Sequence, residues 1–273
     1  MNLERETQVV VEALREAGRT TERYFGAGKR EMGVREKSAD NPVTKADLEA
    51  DTILRGLIRE AFPDDGWLSE ETADSEKRLG KERVWIVDPI DGTKEFIIGL
   101  PEYVISIGLA VEGNVIFGAV YQPTTDVLYL GNLLEHQATR NGAPLVPTSE
   151  PSTPPRLLVS RTETKKGFWN DYAKTFRLEP FGSIAHKLCR VAAGEADAVV
   201  TRQPRSEWDI AGGTAVLRAA GGTVCLLDRS QPLFNQRKPK TRTGIIGTSN
   251  AFRSALFSLL ESGTSFVPAA QTD

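Results

Sequence analysis

One stretch constrains the fold of this chain more than any other: Arg83-Val84-Trp85-Ile86-Val87-Asp88-Pro89-Ile90-Asp91-Gly92-Thr93-Lys94-Glu95-Phe96. The apolar run Val84 to Val87 reads as a buried strand. It ends in two carboxylates three positions apart, with a proline between them and a glycine after. Asp91-Gly92-Thr93 carries the cap and first turn of a short helix. Two anionic oxygen donors at a strand's carboxyl end therefore face free N–H groups at a helix start. The donors suit a hard cation, and the N–H groups suit an anion such as phosphate.

The rest of the chain limits what such a corner can belong to. With 273 residues there is material for one large domain or two modest ones, burying roughly 70–75% of the unfolded surface. A net charge of −3 gives no basic field, so neither a nucleic-acid polymer nor an anionic membrane is an expected partner. Cys189 and Cys225 are far apart in apolar contexts, which fits neither a disulfide framework nor a zinc site. A reducing cytoplasm is the expected location. His136 and His186 alone offer little for histidine chemistry. There is no signal-peptide pattern at Met1-Asn2-Leu3-Glu4 and no apolar run of membrane-spanning length.

Taken in order, Leu3 to Tyr24 has the apolar spacing of a helix, stopped at Gly26-Ala27-Gly28. After the Asn41-Pro42 step a second amphipathic helix is expected from Lys45 to Phe62, with Asp47 in its first turn. Trp67 to Glu71 reads as a short strand ending in adjacent acids, and Thr72 to Glu82 as a mobile polar loop. Val104 to Val111, Val115 to Tyr121, Val127 to Leu130 and Gln137 to Asn141 read as successive strands. Four prolines within Pro147 to Pro155 exclude regular structure, which sets an expected boundary between residues 1–149 and 150–273. Beyond it, strands at Arg156 to Ser160, before Phe181, and at Ala198, Thr223 and Gly244 alternate with helices. Those helices are placed at Lys165 to Phe176, Ser183 to Ala193, Trp208 to Ala220 and Ala251 to Leu260. The tail from Ser262 to Asp273 is expected to fray. The fold class is an α+β half followed by an α/β half, with a cleft between the two subdomains.

Asp88 and Asp91 cannot fill two octahedral shells alone, and Glu70 and Asp209 are the candidates for the remainder. Each acid alone is as well explained as a cap or turn former. Three segments taken together are more specific. Trp85 to Thr93, Trp208-Asp209-Ile210-Ala211-Gly212-Gly213 and Leu68-Ser69-Glu70-Glu71 occur in the order seen in the inositol monophosphatase superfamily, which the chain resembles over nearly its whole length.

The resemblance implies an αβαβα sandwich and a lithium-sensitive, Mg²⁺-dependent phosphomonoesterase with two or three Mg²⁺ per active site. It implies that Glu70, Asp88 and the Ile90 carbonyl hold one metal, and that Asp88, Asp91 and Asp209 hold a second. Thr93 with Asp47, from the Val43-Thr44-Lys45-Ala46-Asp47 element, would polarise the attacking water, and Glu70 joins them as a catalytic residue. Gly92 and Thr93 would receive phosphate oxygens beside Ile90, Asp91 and Asp209, with Gly182-Ser183 on the substrate side. Gly182-Ser183 also has the form of an ordinary helix cap. A small phosphorylated substrate and a homodimer are the implied partners.

Lys94-Glu95-Phe96, Ser206-Glu207-Trp208-Asp209 and Ser160-Arg161-Thr162 resemble the 3′(2′),5′-bisphosphate nucleotidase branch, which acts on adenosine 3′,5′-bisphosphate. A second phosphate calls for cations near the cleft, and Lys187, Arg202, Arg205, Arg237 and Lys238 are available. The alternatives are inositol phosphate, fructose 1,6-bisphosphate or histidinol phosphate as substrate, or a catalytically silent binding module that keeps the fold.

Overall fold

The structure is a computed structural model that describes residues 2–38 and 41–262. Its layers follow from period-two alternation in strands that are buried on both faces. In the strand Arg83–Asp91, Trp85 and Val87 face one apolar cluster while Val84 and Ile86 face another. The neighbouring strand Val104–Val111 divides the same way, with Ile105, Ile107 and Leu109 opposite to Val104 and Ala110.

The outermost layer is the helix pair Glu4–Glu22 and Lys45–Ala61. Val10, Leu14, Ala17, Leu54 and Ile58 lie on one stripe of each and pack on the first sheet. That sheet has seven strands in the order Gly66–Ser69, Arg83–Asp91, Val104–Val111, Asn114–Gln122, Val127–Asn132, Gln137–Arg140 and Ala143–Pro144. Only the first pairing is parallel. The central layer is the helices Ile184–Ala192 and Glu207–Ala219, buried nearly all round because sheets cover them on both sides. The second sheet runs Arg177–Phe181, Arg156–Ser160, Ala198–Val200, Ile245–Ser249, Gly222–Leu226. Trp169, Tyr172, Phe176 and the helix Arg253–Ser262 close its outer face. The result is the αβαβα sandwich.

A row of glycines sets how closely the central layer approaches the first sheet. Gly108, Gly118 and Gly131 are direct partners on three adjacent strands. A Cβ on Gly108 would lie 2.7 Å from Ala211 Cβ, and one on Gly131 2.5 Å from Val216 Cα. One on Gly118 would clash with the Gly212 carbonyl. The helix Glu207–Ala219, two residues into which lies Asp209, therefore beds against bare backbone.

Two expectations are corrected. Lys165 to Phe176 is not one helix: a short helix Arg161–Lys165, capped by Ser160, is followed by a 3₁₀ turn Asn170–Tyr172. Gly167 breaks the path at φ +76°, and Trp169, Tyr172 and Phe176 mimic helical spacing while lying on turns. Thr72 to Glu82, expected as a mobile polar loop, instead contains the 3₁₀ turn Glu76–Gly80 held around a buried Arg78. The expectation of a fraying tail, apart from Ser262 at the end of the last helix, lies outside the described residues.

Candidate active site

Pro89 has no N–H, so the ladder between Arg83–Asp91 and Val104–Val111 is interrupted after Asp88↔Ser106 and resumes only at Asp91↔Val104. Asp88 turns back to accept a hydrogen bond from the Ile90 N–H at 3.0 Å. Gly92, at φ +104°, then reverses the chain into the helix Thr93–Ile97, whose first N–H groups have no helical carbonyl behind them.

Around this corner lies a cleft of about 230 Å³ lined by Glu70, Asp88, Ile90, Asp91, Gly92, Thr93, Gly182, Ser183 and Asp209. Nine of the ten residues anticipated from the sequence are thus brought together. The tenth, Asp47, stands directly behind Thr93. Thr93 Oγ1 lies 3.1 Å from Asp47 Oδ1 and 3.0 Å from the Ile90 carbonyl. Thr44 fixes Asp47 by donating from its N–H at 2.8 Å and its hydroxyl at 2.6 Å, the return arm of a capping box.

The acids come from the first sheet and the central helical layer. Asp91 Oδ2 accepts from Ser183 Oγ at 2.7 Å and from the Ala185 N–H at 2.6 Å, which ties the first loop to the central layer. Ser183 therefore serves Asp91 and caps its own helix through the His186 N–H. Asp209 is the third residue of its helix and accepts from the Ser206 N–H at 3.2 Å. Glu70 and Glu71 both accept from Lys37 Nζ, at 2.7 and 2.6 Å.

Burial and mutual repulsion dominate the electrostatics. Burial, then the charges of Glu70, Asp91, Asp209 and Asp47, push the Asp88 carboxyl well above its ordinary range. Burial together with Asp91 and Glu70 pushes Asp209 up to about 8. Burial raises Asp91 to about 6 against the opposing bonds from Ser183 and Ala185. Among the described residues no three acidic or imidazole groups are drawn into a ready coordination shell. Each carboxylate instead bonds an internal donor, which offsets the repulsion between like charges. Hard oxygen donors that repel one another across one cleft are nonetheless the donor set that Mg²⁺ takes, with water completing its shell.

Of the cations anticipated for a second phosphate, Lys187 and Arg205 line the cleft, joined by Lys94 and Arg161. Lys187 is 3% exposed and donates to the Phe181 carbonyl at 3.1 Å. Burial and then Arg205 lower its ammonium to about 8. The other three do not line it. Arg202 stacks on Phe168, Arg237 pairs with Glu76, and Lys238 borders a different groove beside Leu233. His186 is packed between Phe181 and Tyr129, and burial lowers its pKa to about 3.

Sequence reasoning missed Lys37 and Asp51. Asp51 accepts from the Ser69 and Thr72 hydroxyls on either side of Glu70-Glu71. The available signal was its spacing: Asp51 lies one turn beyond Asp47 on the same buried stripe.

Comparison with known proteins identifies the family. Residues 2–264 match the model of the inositol monophosphatase family. Inositol monophosphatase 3 of Solanum lycopersicum is 32% identical over 235 residues, covering 82% of this chain and 86% of that protein. The 3′(2′),5′-bisphosphate nucleotidase CysQ of Salmonella typhimurium is 34% identical over 200 residues, covering 72% and 81%. The extragenic suppressor protein suhB of Bartonella henselae superposes with a TM-score of 0.83 at 26% identity, covering 95% and 100%. CysQ from Bacteroides thetaiotaomicron gives 0.77 at 25%, covering 91% and 100%. The chain belongs to the inositol monophosphatase family and is a phosphatase of that family.

Proposed function

We propose that this chain is a Mg²⁺-dependent phosphomonoesterase that prefers a nucleoside 3′,5′-bisphosphate, adenosine 3′,5′-bisphosphate being the reference substrate. The observation that carries the reading is the single cleft lined by Glu70, Asp88, Asp91 and Asp209 together with Lys187 and Arg205. Glu70, Asp88, Asp91, Asp209 and the Ile90 carbonyl would hold two Mg²⁺ ions. When bound, such ions lower the pKa of water and neutralise phosphoryl charge.

The chain's own groups do the rest. Asp47, pinned by Thr44, fixes the Thr93 hydroxyl so that an oxygen lone pair is presented to the attacking water. A threonine hydroxyl is too weak a base to act alone, so the pair orients the water and passes its proton to the carboxylate. The N–H groups of Gly92 and Thr93 receive phosphate oxygens. Lys187 and Arg205 would offset the charge of the remote phosphate, a charge that an uncharged polyol ring does not carry.

A phosphate-release panel tests this reading on adenosine 3′,5′-bisphosphate, inositol phosphate, fructose 1,6-bisphosphate and histidinol phosphate, with and without Mg²⁺ and Li⁺. The expected result is Mg²⁺-dependent, Li⁺-inhibited release with the highest kcat/KM on the nucleotide. Lys187→Met should lower that preference by roughly 10-fold or more, the scale of a lost charged contact. Efficient turnover of another ester with none of the nucleotide would overturn the substrate assignment.

A further inference from the structure

We propose that Arg78 is a positioning residue for Asp209, acting through Asn235, Gln236 and Glu207 as a strut across the back of the cleft. The inference rests on the metal-site reading above. Arg78 lies in the turn Glu76–Gly80, between the strand leading to Glu70 and the strand bearing Asp88. It is 3% exposed, and every one of its guanidinium nitrogens has a partner. Nε and Nη2 donate to the two oxygens of Asp74 at 2.7 and 2.9 Å. Nη1 donates to Asn235 Oδ1 at 2.7 Å, and Nη2 also to the Gln236 carbonyl at 3.0 Å. Asn235 Nδ2 answers by donating to the Arg78 carbonyl at 3.2 Å.

The next link is a buried carboxylate. The N–H groups of Asn235 and Gln236 donate to the two oxygens of Glu207 at 2.6 and 2.8 Å. Asn235 holds a left-handed φ of 58°, a conformation asparagine tolerates better than most residues. Glu207 is 1% exposed and is the first residue of the helix whose third is Asp209. Its own N–H is fixed to the Pro239 carbonyl at 3.0 Å. The guanidinium thus clamps a loop of the second sheet to the segment between Glu70 and Asp88, and that loop grips the first turn carrying Asp209. Coordination demands donors placed within a few tenths of an ångström, so loosening the strut should weaken metal binding before it weakens substrate binding.

Mn²⁺ binding followed by electron paramagnetic resonance needs no turnover and separates the possibilities. Wild type should bind Mn²⁺ saturably. Arg78→Ala should weaken binding by ~10–100-fold, the range for residues that orient metal ligands. Arg78→Lys, which keeps the charge but not the fork, should restore little of it, and Asn235→Ala should weaken binding in the same direction. The KM for the ester turned over should change by less than about 2-fold, and Arg78→Ala should have no further effect in an Asp209→Asn background. Where Arg78→Ala fails to fold, Asn235→Ala and Glu207→Gln carry the test. Wild-type Mn²⁺ affinity in the folded variants, or equal weakening in the Asp209→Asn background, would overturn the strut. Absence of Mn²⁺ binding by wild type would overturn the metal reading and the strut with it.

Discussion

Asp88→Asn is expected to reduce Mg²⁺-dependent phosphate release by roughly 10²–10³-fold, the scale on which preorganised electrostatic groups act. It is also expected to make the metal-free protein more stable. Asp88 is 2% exposed and crowded by the charges of Glu70, Asp91, Asp209 and Asp47. A carboxyl whose folded pKa is raised stabilises the fold only while protonated, and this contribution is lost as pH rises through the raised value. At neutral pH the cluster therefore opposes folding. Asparagine keeps the oxygen that accepts the Ile90 N–H and removes the charge. A rise in the metal-free Tm of about 2–4 °C corresponds to roughly 1 kcal/mol in a chain of this size. Thermal denaturation in chelator, beside a phosphate-release assay, reads both effects. A variant that loses stability while keeping its rate would remove Asp88 from the residues that hold the metal.

Gly118→Ala is the second large effect, and it acts without touching the cleft. The new methyl would press on the Gly212 carbonyl and stand 2.7 Å from Ala215 Cβ. Overpacking of this kind costs about 1–3 kcal/mol. Helix Glu207–Ala219 is backed on its other face by the second sheet, which must move with it. It must lift from the first sheet, carrying Asp209 away from Asp88 and Asp91. The expected outcome is a lowered Tm together with a raised Mg²⁺ requirement. Gly56→Ala is the control: nothing lies within 4 Å of a Cβ there, and the position is inside the helix Lys45–Ala61. It should gain up to ~1 kcal/mol from helix propensity and leave the rate unchanged. Equal behaviour of the two substitutions would show that the glycine row does not set the helix position.

The contrast between these positions marks what could be read from the sequence. The Asp88-to-Thr93 corner was legible because local chemistry dictates it: proline breaks the ladder, glycine permits the reversal, and the following hydroxyl and acid start a helix. Asp209 was legible through the resemblance of Trp208-Asp209-Ile210-Ala211-Gly212-Gly213 to the family's motif, and the structure makes it N3 of the helix behind Ser206. The glycine row was not, since Gly108, Gly118 and Gly131 become neighbours only through the register of three strands. Arg78 was hidden by its setting, a charged residue in a polar stretch whose partners Asn235 and Gln236 lie more than 150 positions away. Lys37 escaped notice because nothing local links it to Glu70 and Glu71. Among the cations, Lys187 in the first turn of Ile184–Ala192 and Arg205 just before Glu207–Ala219 line the cleft, whereas Arg237 and Lys238 border another groove.

The measurement that bears most directly on the account is phosphate release from adenosine 3′,5′-bisphosphate by metal-stripped protein as Mg²⁺ is restored. The site described here requires no release in chelator and a saturable rise in rate with Mg²⁺, abolished by Asp209→Asn. Full activity in excess chelator, or a rate indifferent to Asp209, would contradict a metal site built from both halves of the cleft.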